Sequence, residues 1–116
     1  RLSAISAITA LYNCNLGQIR SSQSRTRQLN TLIKESLIIS KKNDNFKDSY
    51  KNIINLIKTF PDSLTTSLQR DINDGFNSEL ETQIGSIVKL SKRHNIQSPM
   101  YKKIYLLLKK KCKKKS

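Results

Sequence analysis

Apolar residues recur at close to 3.6-residue spacing along almost the whole chain, and this periodicity constrains the fold more than any other feature of the sequence. No stretch shows the strict alternation that is typical of a half-buried strand, so the pattern predicts an all-α protein. The chain has 116 residues, of which 36% are hydrophobic, and this is enough for one core but not for two. We therefore expect one bundle of about six helices.

Caps and breakers divide the pattern into these six helices. Their expected bounds are residues 2–12, about 22–42, about 46–60, 62–71, 78–94 and 98–108. Asn13 and Gly17 can adopt the left-handed conformation that ends a helix, so they are predicted to end the first one. Residues 42–45 form a turn that can cap the third helix, and Pro61 ends it.

The strongest local signals lie between residues 65 and 105. Ser78 and Glu81 have the Ser-x-x-Glu spacing of a capping box, and Ser98 before Pro99 is a helix start. Gly85 lies in the middle of the fifth helix, where glycine costs roughly 0.8–1 kcal/mol relative to alanine. We therefore expect close helix packing at Gly85.

The formal net charge of +14 argues for a polyanionic partner such as nucleic acid or an acidic membrane surface. Six lysines among residues 109–115 carry part of it, which leaves +14 − 6 = +8 for the rest. A terminal lysine block is usually solvated, so residues 1–108 are interpreted as the domain and 109–116 as a basic tail. The alternative is a nucleic-acid-binding module that uses this tail together with Arg20, Arg25 and Arg27.

Several other classes of site are excluded by motif. The chain has no Gly-rich phosphate loop, no cluster of metal ligands and no Gly-x-Ser-x-Gly turn. Cys14 and Cys112 are far apart in sequence, so both are interpreted as free thiols. His94 is the only histidine, and its place near a helix end favours a surface capping role. We expect no metal site.

The sequence predicts a cytoplasmic fragment of a longer protein. No apolar run approaches the roughly 20 residues that span a bilayer, and the N-terminus lacks the features of a signal peptide. The chain opens on Arg1 without a methionine and runs at once into a helical pattern.

Two side chains are the best candidates for function. Ser67 lies on the short polar fourth helix, and Glu79 lies in the first turn of the fifth. A carboxylate in a first turn also stabilises the helix macrodipole by roughly 0.3–1 kcal/mol with no further role. The residues alone leave both interpretations of Glu79 open.

Six short segments, in this order and spacing, resemble the C-terminal domain of ketopantoate reductases (2-dehydropantoate 2-reductases). They are residues 8–11 (Ile-Thr-Ala-Leu), 13–19 (Asn-Cys-Asn-Leu-Gly-Gln-Ile), 66–71 (Thr-Ser-Leu-Gln-Arg-Asp), 77–81 (Asn-Ser-Glu-Leu-Glu, with Gly85 following), 95–99 (Asn-Ile-Gln-Ser-Pro) and 106–109 (Leu-Leu-Leu-Lys). Residues 20–60 match only in helical pattern. The resemblance implies a helical fold like that of 6-phosphogluconate dehydrogenase C-terminal domains.

The resemblance also implies an enzyme in which this domain is one part. An N-terminal Rossmann domain, expected upstream of this chain, would bind NADPH, and a 2-oxo acid would lie between the two domains and be reduced to a 2-hydroxy acid. The general acid would be a lysine upstream of Arg1. The isolated domain is expected to be inactive, and a homodimer is a further expectation.

By position, the resemblance assigns Glu79 as the catalytic and substrate-binding glutamate and Ser67 as a ligand of the substrate carboxylate. Leu2 and Ser6 stand where the family usually has asparagines. Ser6 can still donate a hydrogen bond to substrate, whereas Leu2 cannot. The departure at Leu2 motivates a second hypothesis, a relative that keeps the fold but has lost activity.

Overall fold

Helices make up the regular secondary structure of this computed structural model, which describes residues 3–43 and 49–115, and side chains within 3–41 and 49–112. They are α1 (Ser3–Tyr12), α2 (Leu16–Arg20), α3 (Gln23–Asn43), α4 (Tyr50–Lys58), α5 (Ser67–Asn73), α6 (Ser78–Leu80), a π-helical turn (Glu81–Gly85), α7 (Ser86–Arg93) and α8 (Pro99–Lys115). No strand occurs in these residues. The all-α prediction is confirmed.

The described residues form seven helical rods instead of six, because α6, the π turn and α7 run on without a break. The additional rod is α2, which occupies the turn expected after α1. Its N-cap is Asn15, which forms a reciprocal capping box with Gln18. Asn13 takes the left-handed conformation with φ 50°, whereas Gly17 lies inside α2. The prediction that Gly17 ends α1 is wrong.

Helix starts in the middle of the chain depend on side-chain caps. Ser49 caps α4 through its side chain, and the cap expected over residues 42–45 lies partly outside the described residues. The fourth predicted helix begins at Ser67 instead of Asp62, because Thr66 is the residue whose side chain accepts the N–H of Gln69. The late start places Ser67 in the first turn of α5.

The central helix of the fold is α1. All of its residues from Ser3 to Ala10 are buried, and small serines and alanines alternate with the larger Ile5 and Ile8. These small side chains let α3, α5 and α8 pack against α1. Burying a side chain such as Ile8 contributes about 1.5–3 kcal/mol, so α1 anchors the elements around it.

A close backbone contact joins α2 to the loop before α5. The N–H of Gly17 donates to the carbonyl oxygen of Asp62 at 2.9 Å, and that of Leu16 donates to Leu64 at 3.0 Å. Arg20 Nη1 donates to Asp62 Oδ1 at 2.7 Å. A Cβ on Gly17 would lie only 2.7 Å from Asp62 Cβ. Glycine is therefore needed here for close approach, and the contact fixes where α5 begins.

The start of α8 is capped from another helix. Pro99 is its first residue, as predicted, and the Ser98 carbonyl oxygen accepts the N–H of Lys102 at 3.0 Å. The Ser98 hydroxyl lies 2.8 Å from that of Ser91, and among the described residues it accepts no N–H of α8. The backbone N–H groups of Met100 and Tyr101 instead donate to the carboxylate of Glu35 on α3. The acceptor for the α8 N-terminus is thus a buried acid from a distant part of the sequence.

The end of α8 enters the segment interpreted as a basic tail, since the helix continues to Lys115. Cys112 is buried, and its Sγ lies 3.3 Å from the carbonyl oxygen of Phe76. The ammonium of Lys109 lies 5.4 Å from the centre of the Tyr105 ring. This part of the lysine-rich segment therefore packs on the rest of the domain.

Candidate functional site

The structure brings together two of the predicted site residues, Ser67 and Glu79. Ser67 Oγ lies 3.5 Å from Glu79 Oε2, which is the outer limit of a hydrogen bond. Ser67 is exposed on α5, and Glu79 is half-buried on α6. A hydroxyl donor and a carboxylate acceptor therefore share one accessible patch.

Asp71 holds the start of α6 beside α5. Its Oδ2 accepts the hydroxyl of Ser78 at 3.2 Å and the backbone N–H of Glu79 at 3.1 Å. The capping box predicted between Ser78 and Glu81 is therefore wrong, because the acceptor comes from the facing helix. Asp71 lies one turn after Ser67 on α5, so the same helix face supplies the hydroxyl and the cap that fixes the backbone of Glu79.

Gln83 is a member of the patch that the sequence analysis missed. Its Nε2 donates to Glu79 Oε2 and lies 3.5 Å from Ser67 Oγ. The i, i+4 spacing of Glu79 and Gln83 places both on one helix face and was the available signal. Sequence alone could not reveal that this face meets Ser67.

A π turn carries the helix past the patch. The N–H of Ser86 donates to the carbonyl oxygen of Glu81, five residues earlier. A Cβ on Gly85 would lie 2.8 Å from Glu81 Oε2 and 3.2 Å from Cε1 of Tyr105. The close packing expected at Gly85 is confirmed, and its cause is the pair of side chains on that side.

Glu81 is engaged by α8 and not by the patch. The hydroxyl of Tyr105 donates to both of its carboxylate oxygens, at 2.8 and 2.9 Å. This hydrogen bond to Glu81 raises the pKa of Tyr105, with a smaller contribution from burial. Glu81 therefore tethers the π turn to α8.

Ser6 is separate from the pair in the described structure. It is buried on α1, and no hydrogen bond joins its side chain to Ser67 or Glu79 among the described residues. The link between α1 and α5 comes one turn later, where Thr9 Oγ1 lies 3.1 Å from Thr66 Oγ1. Leu2, the second departure from the family pattern, lies outside the described residues.

A cleft of the described surface lies elsewhere, between α7 and α8. Its lining includes Lys92, Lys102 and Lys103 but none of the predicted site residues. Binding sites often form where two domains meet, and one half of such a site is not concave by itself. We therefore place the candidate site at Ser67 and Glu79 on the basis of chemistry.

Within the described ranges, no three His, Cys, Asp or Glu side chains are grouped as a metal ion would require. None of the described helices has the length and apolar character needed to cross a membrane. Cys14 and Cys112 are both buried. His94 is the C-cap residue of α7 through its backbone N–H, as its position in the sequence predicted, but its side chain is half-buried and not on the surface.

Comparison with known proteins identifies what this domain is similar to. The profile of the family described as ketopantoate reductase PanE/ApbA C terminal matches residues 2–112. Comparison with curated protein sequences gave no match.

Solved structures share the fold at low sequence identity. A dimeric ketopantoate reductase from Staphylococcus aureus has a TM-score of 0.85 at 20% identity, over 99% of this chain and 41% of its own. The PanE/ApbA family ketopantoate reductase of Ralstonia eutropha JMP134 gives 0.84 at 18%, over 98% and 39%. A ternary structure of D-mandelate dehydrogenase with NADH and anilino(oxo)acetate gives 0.84 at 13%, over 97% and 48%. The chain thus spans less than half of each neighbour.

Proposed function

The chain is a C-terminal domain of the ketopantoate reductase family, and we propose that its parent protein is an NADPH-dependent reductase of 2-oxo acids. The single observation that carries the proposal is the contact between Ser67 and Glu79 on facing helices. These are the two residue types that the resemblance assigns to substrate binding and catalysis.

The cofactor would be held outside this chain. The three glycines, Gly17, Gly75 and Gly85, are too far apart for the Gly-x-Gly-x-x-Gly turn that binds dinucleotides. A Rossmann domain in the remaining part of the parent would bind NADPH, which supplies the hydride. The described residues would contribute the substrate side of the site, and this chain alone would reduce nothing.

Ser67 and Glu79 would have different roles toward a 2-oxo acid. The Ser67 hydroxyl is exposed and can turn its proton toward the substrate carboxylate. The Glu79 carboxylate can accept hydrogen bonds from the general-acid lysine and from the hydroxyl that forms on reduction. Together they would orient the substrate and keep a protonated donor where negative charge develops.

The local charge also suits a lysine partner. Although the whole chain carries +14, the Asp71 carboxylate lies beside the backbone of Glu79, whose N–H it accepts, so two acidic residues are neighbours here. Nearby acids in a basic protein produce a local negative potential. That potential would attract the ammonium group that the proposed mechanism requires.

Ketopantoate is the first substrate to test, and the wider class of 2-oxo acids is the second. The D-mandelate dehydrogenase neighbour, whose structure contains anilino(oxo)acetate and NADH, favours including other 2-oxo acids and NADH. The Staphylococcus aureus neighbour is dimeric, so a homodimer of the parent belongs to this proposal, as does a cytoplasmic location.

The test is oxidation of NADPH or NADH by the full-length parent with ketopantoate and a panel of 2-oxo acids. Glu79→Ala should lower kcat/KM on the best substrate by at least about 100-fold, equivalent to roughly 2.7 kcal/mol of transition-state stabilisation. Asp74→Ala is the control, because Asp74 is exposed and its side chain is outside the patch.

The possible outcomes separate the hypotheses. Activity only on a different 2-oxo acid would keep the reaction and reject ketopantoate as the substrate. A parent that binds NADPH but does not oxidise it with any of the substrates tested would support the second hypothesis, a relative that keeps the fold but has lost activity. An active parent with unchanged kcat/KM after Glu79→Ala would reject the assigned site.

A further inference from the structure

Among the residues whose side chains the structure describes, Gln83 is the one that hydrogen-bonds to both Ser67 and Glu79. Its Nε2 donates to Glu79 Oε2 from the next turn of the same rod and reaches Ser67 Oγ at 3.5 Å across the gap to α5. No family segment identified in the sequence includes this position. The contacts of Gln83 are therefore known from the structure and not from the resemblance.

The hydrogen-bond donors and acceptors of these three groups fit together. A glutamine amide has two N–H donors, and Gln83 directs one to each partner. Since Ser67 Oγ accepts from Gln83, its own proton is free to point toward Glu79 Oε2, which lies 3.5 Å away. The donors and acceptors of Gln83, Ser67 and Glu79 are therefore matched, and none of the three side chains has to gain or lose a proton.

The same arrangement leaves one carboxylate oxygen available. Both contacts to Glu79 in the patch involve Oε2, and Oε1 accepts no hydrogen bond from any described residue. Gln83 and Ser67 therefore engage one oxygen of the carboxylate and leave the other without a hydrogen bond from the described residues. That second oxygen could accept a hydrogen bond from a lysine or a substrate hydroxyl from outside the domain.

The backbone on both sides of Gln83 is restrained. Gln83 lies inside the π turn, whose Glu81 is held by the hydroxyl of Tyr105. Asp71 fixes the N–H of Glu79 at the other end. A side chain on this restrained segment can hold a carboxylate more closely than one on a free helix, because less freedom is lost when each bond forms.

From this geometry we propose that Gln83 is a positioning residue, which orients the Glu79 carboxylate and the Ser67 hydroxyl for a 2-oxo acid. The inference rests on the proposed function. It goes beyond the assignment of Ser67 and Glu79, because it makes their relative orientation depend on an uncharged amide that touches neither cofactor nor substrate.

The test compares Gln83→Met and Gln83→Lys in the full-length parent, with the best 2-oxo acid substrate at saturating NADPH. Methionine keeps the length of the side chain and removes both donors, so kcat should fall at least about tenfold with a smaller change in KM. Lysine restores an N–H donor of similar reach and should recover part of the loss. Thr82→Ala, on the same turn and exposed, should keep wild-type kinetics.

A double-mutant cycle separates positioning from a general structural effect. In a Glu79→Ala background, Gln83→Met should change kcat less than about twofold, since the carboxylate is absent and only the 3.5 Å contact of Gln83 to Ser67 Oγ remains. Circular dichroism and the thermal midpoint of each variant show whether it is folded. If Gln83→Met does not fold, Gln83→Ala, which also removes both donors, takes its place, with the same expected loss of kcat and with wild-type kcat again rejecting the role.

Different results overturn different claims. An active parent in which folded Gln83→Met keeps wild-type kcat would reject the role of Gln83 and leave the proposed function intact. The role is also rejected if Lys is as damaging as Met, or if the losses from Gln83→Met and Glu79→Ala multiply. A wild-type parent that reduces no 2-oxo acid would reject the proposed function and this inference with it.

Discussion

The carboxylate of Glu35 accepts the backbone N–H of Tyr101 at 3.1 Å, across 66 residues of sequence. The other oxygen of Glu35 accepts the N–H of Met100 at 3.0 Å. Two of the donors that an α-helix leaves unpaired at its start are therefore satisfied by one buried acid on α3. This arrangement joins the two longest helices of the domain at a single point.

Glu35→Ala should destabilise the domain by about 1–3 kcal/mol, because two buried N–H groups lose their acceptor. Glu35→Gln keeps one carbonyl acceptor and should lose less. The measurement is urea denaturation followed by circular dichroism at constant pH. Lys34→Ala, at the exposed neighbouring position, is the control, and equal stability of Glu35→Ala and wild type would contradict this role.

Tyr101 should make stability decrease in strong alkali. Burial raises its pKa from 10.0 to about 12, while the hydrogen bond to Ser3 acts in the opposite direction. The folded protein holds this proton more tightly, so the contribution is complete below pH 10 and is lost as pH rises toward 12. The difference in pKa corresponds to about 3 kcal/mol.

The corresponding measurement is the free energy of unfolding between pH 9 and 12, a range chosen around roughly the usual tyrosine pKa of 10. Tyr101→Phe cannot ionise and should show a shallower decline than wild type. Tyr105→Phe should change the decline less, because that ring is partly exposed. Parallel curves for Tyr101→Phe and wild type would show that the Tyr101 hydroxyl has no such effect.

Gly17→Ala should destabilise the domain by about 1–3 kcal/mol, the usual range for overpacking. The new methyl group would lie 2.7 Å from Asp62 Cβ and 3.2 Å from its carbonyl oxygen, and the backbone hydrogen bond between the two residues leaves little room to move. Thermal unfolding of Gly17→Ala and the exposed control Gln23→Ala provides the comparison. If Gly17→Ala is at least as stable as wild type, the loop that contains Asp62 can move enough to accommodate the methyl group, and the prediction is wrong.

The fold class and most helix bounds could be predicted from the sequence because they depend on local signals. The apolar period identified α3 and α8, and Pro61 ended the third predicted helix. The capping signal of α2, Asn15 with Gln18 three residues later, was also present. It was missed because Asn13 and Gly17 were interpreted together as the end of a helix, although only Asn13 has a positive φ.

The non-local caps could not be predicted in this way. Ser78 and Ser98 each have the sequence of a helix N-cap, yet Asp71 and Glu35 supply the acceptors. In both cases an acid from another helix replaces the local side chain. Glu35 is 65 and 66 residues away from its donors, and Asp71, although only 7 and 8 residues before its donors, belongs to a different helix whose packing the sequence does not reveal. Gln83 was missed for the same reason, because its function depends on α5 lying opposite.

The last prediction concerns Asp71, which should affect stability and activity through one hydrogen-bonded carboxylate. Asp71→Ala removes the acceptor of the Ser78 hydroxyl and the Glu79 N–H, so loss of the α6 cap should cost about 1 kcal/mol. In the full-length parent the freed start of α6 should also displace Glu79 and lower kcat/KM on a 2-oxo acid by at least about tenfold.

Two comparisons make this prediction specific to the hydrogen bond. Asp71→Asn keeps an oxygen acceptor and should recover most of the stability and much of the activity, whereas a role for the negative charge alone would leave Asn as impaired as Ala. Asp74→Ala, an exposed acid at the end of α5, should behave as wild type in both measurements. If Asp71→Ala loses stability but keeps kcat/KM, the α6 cap is structural only, and the position of Glu79 does not depend on it.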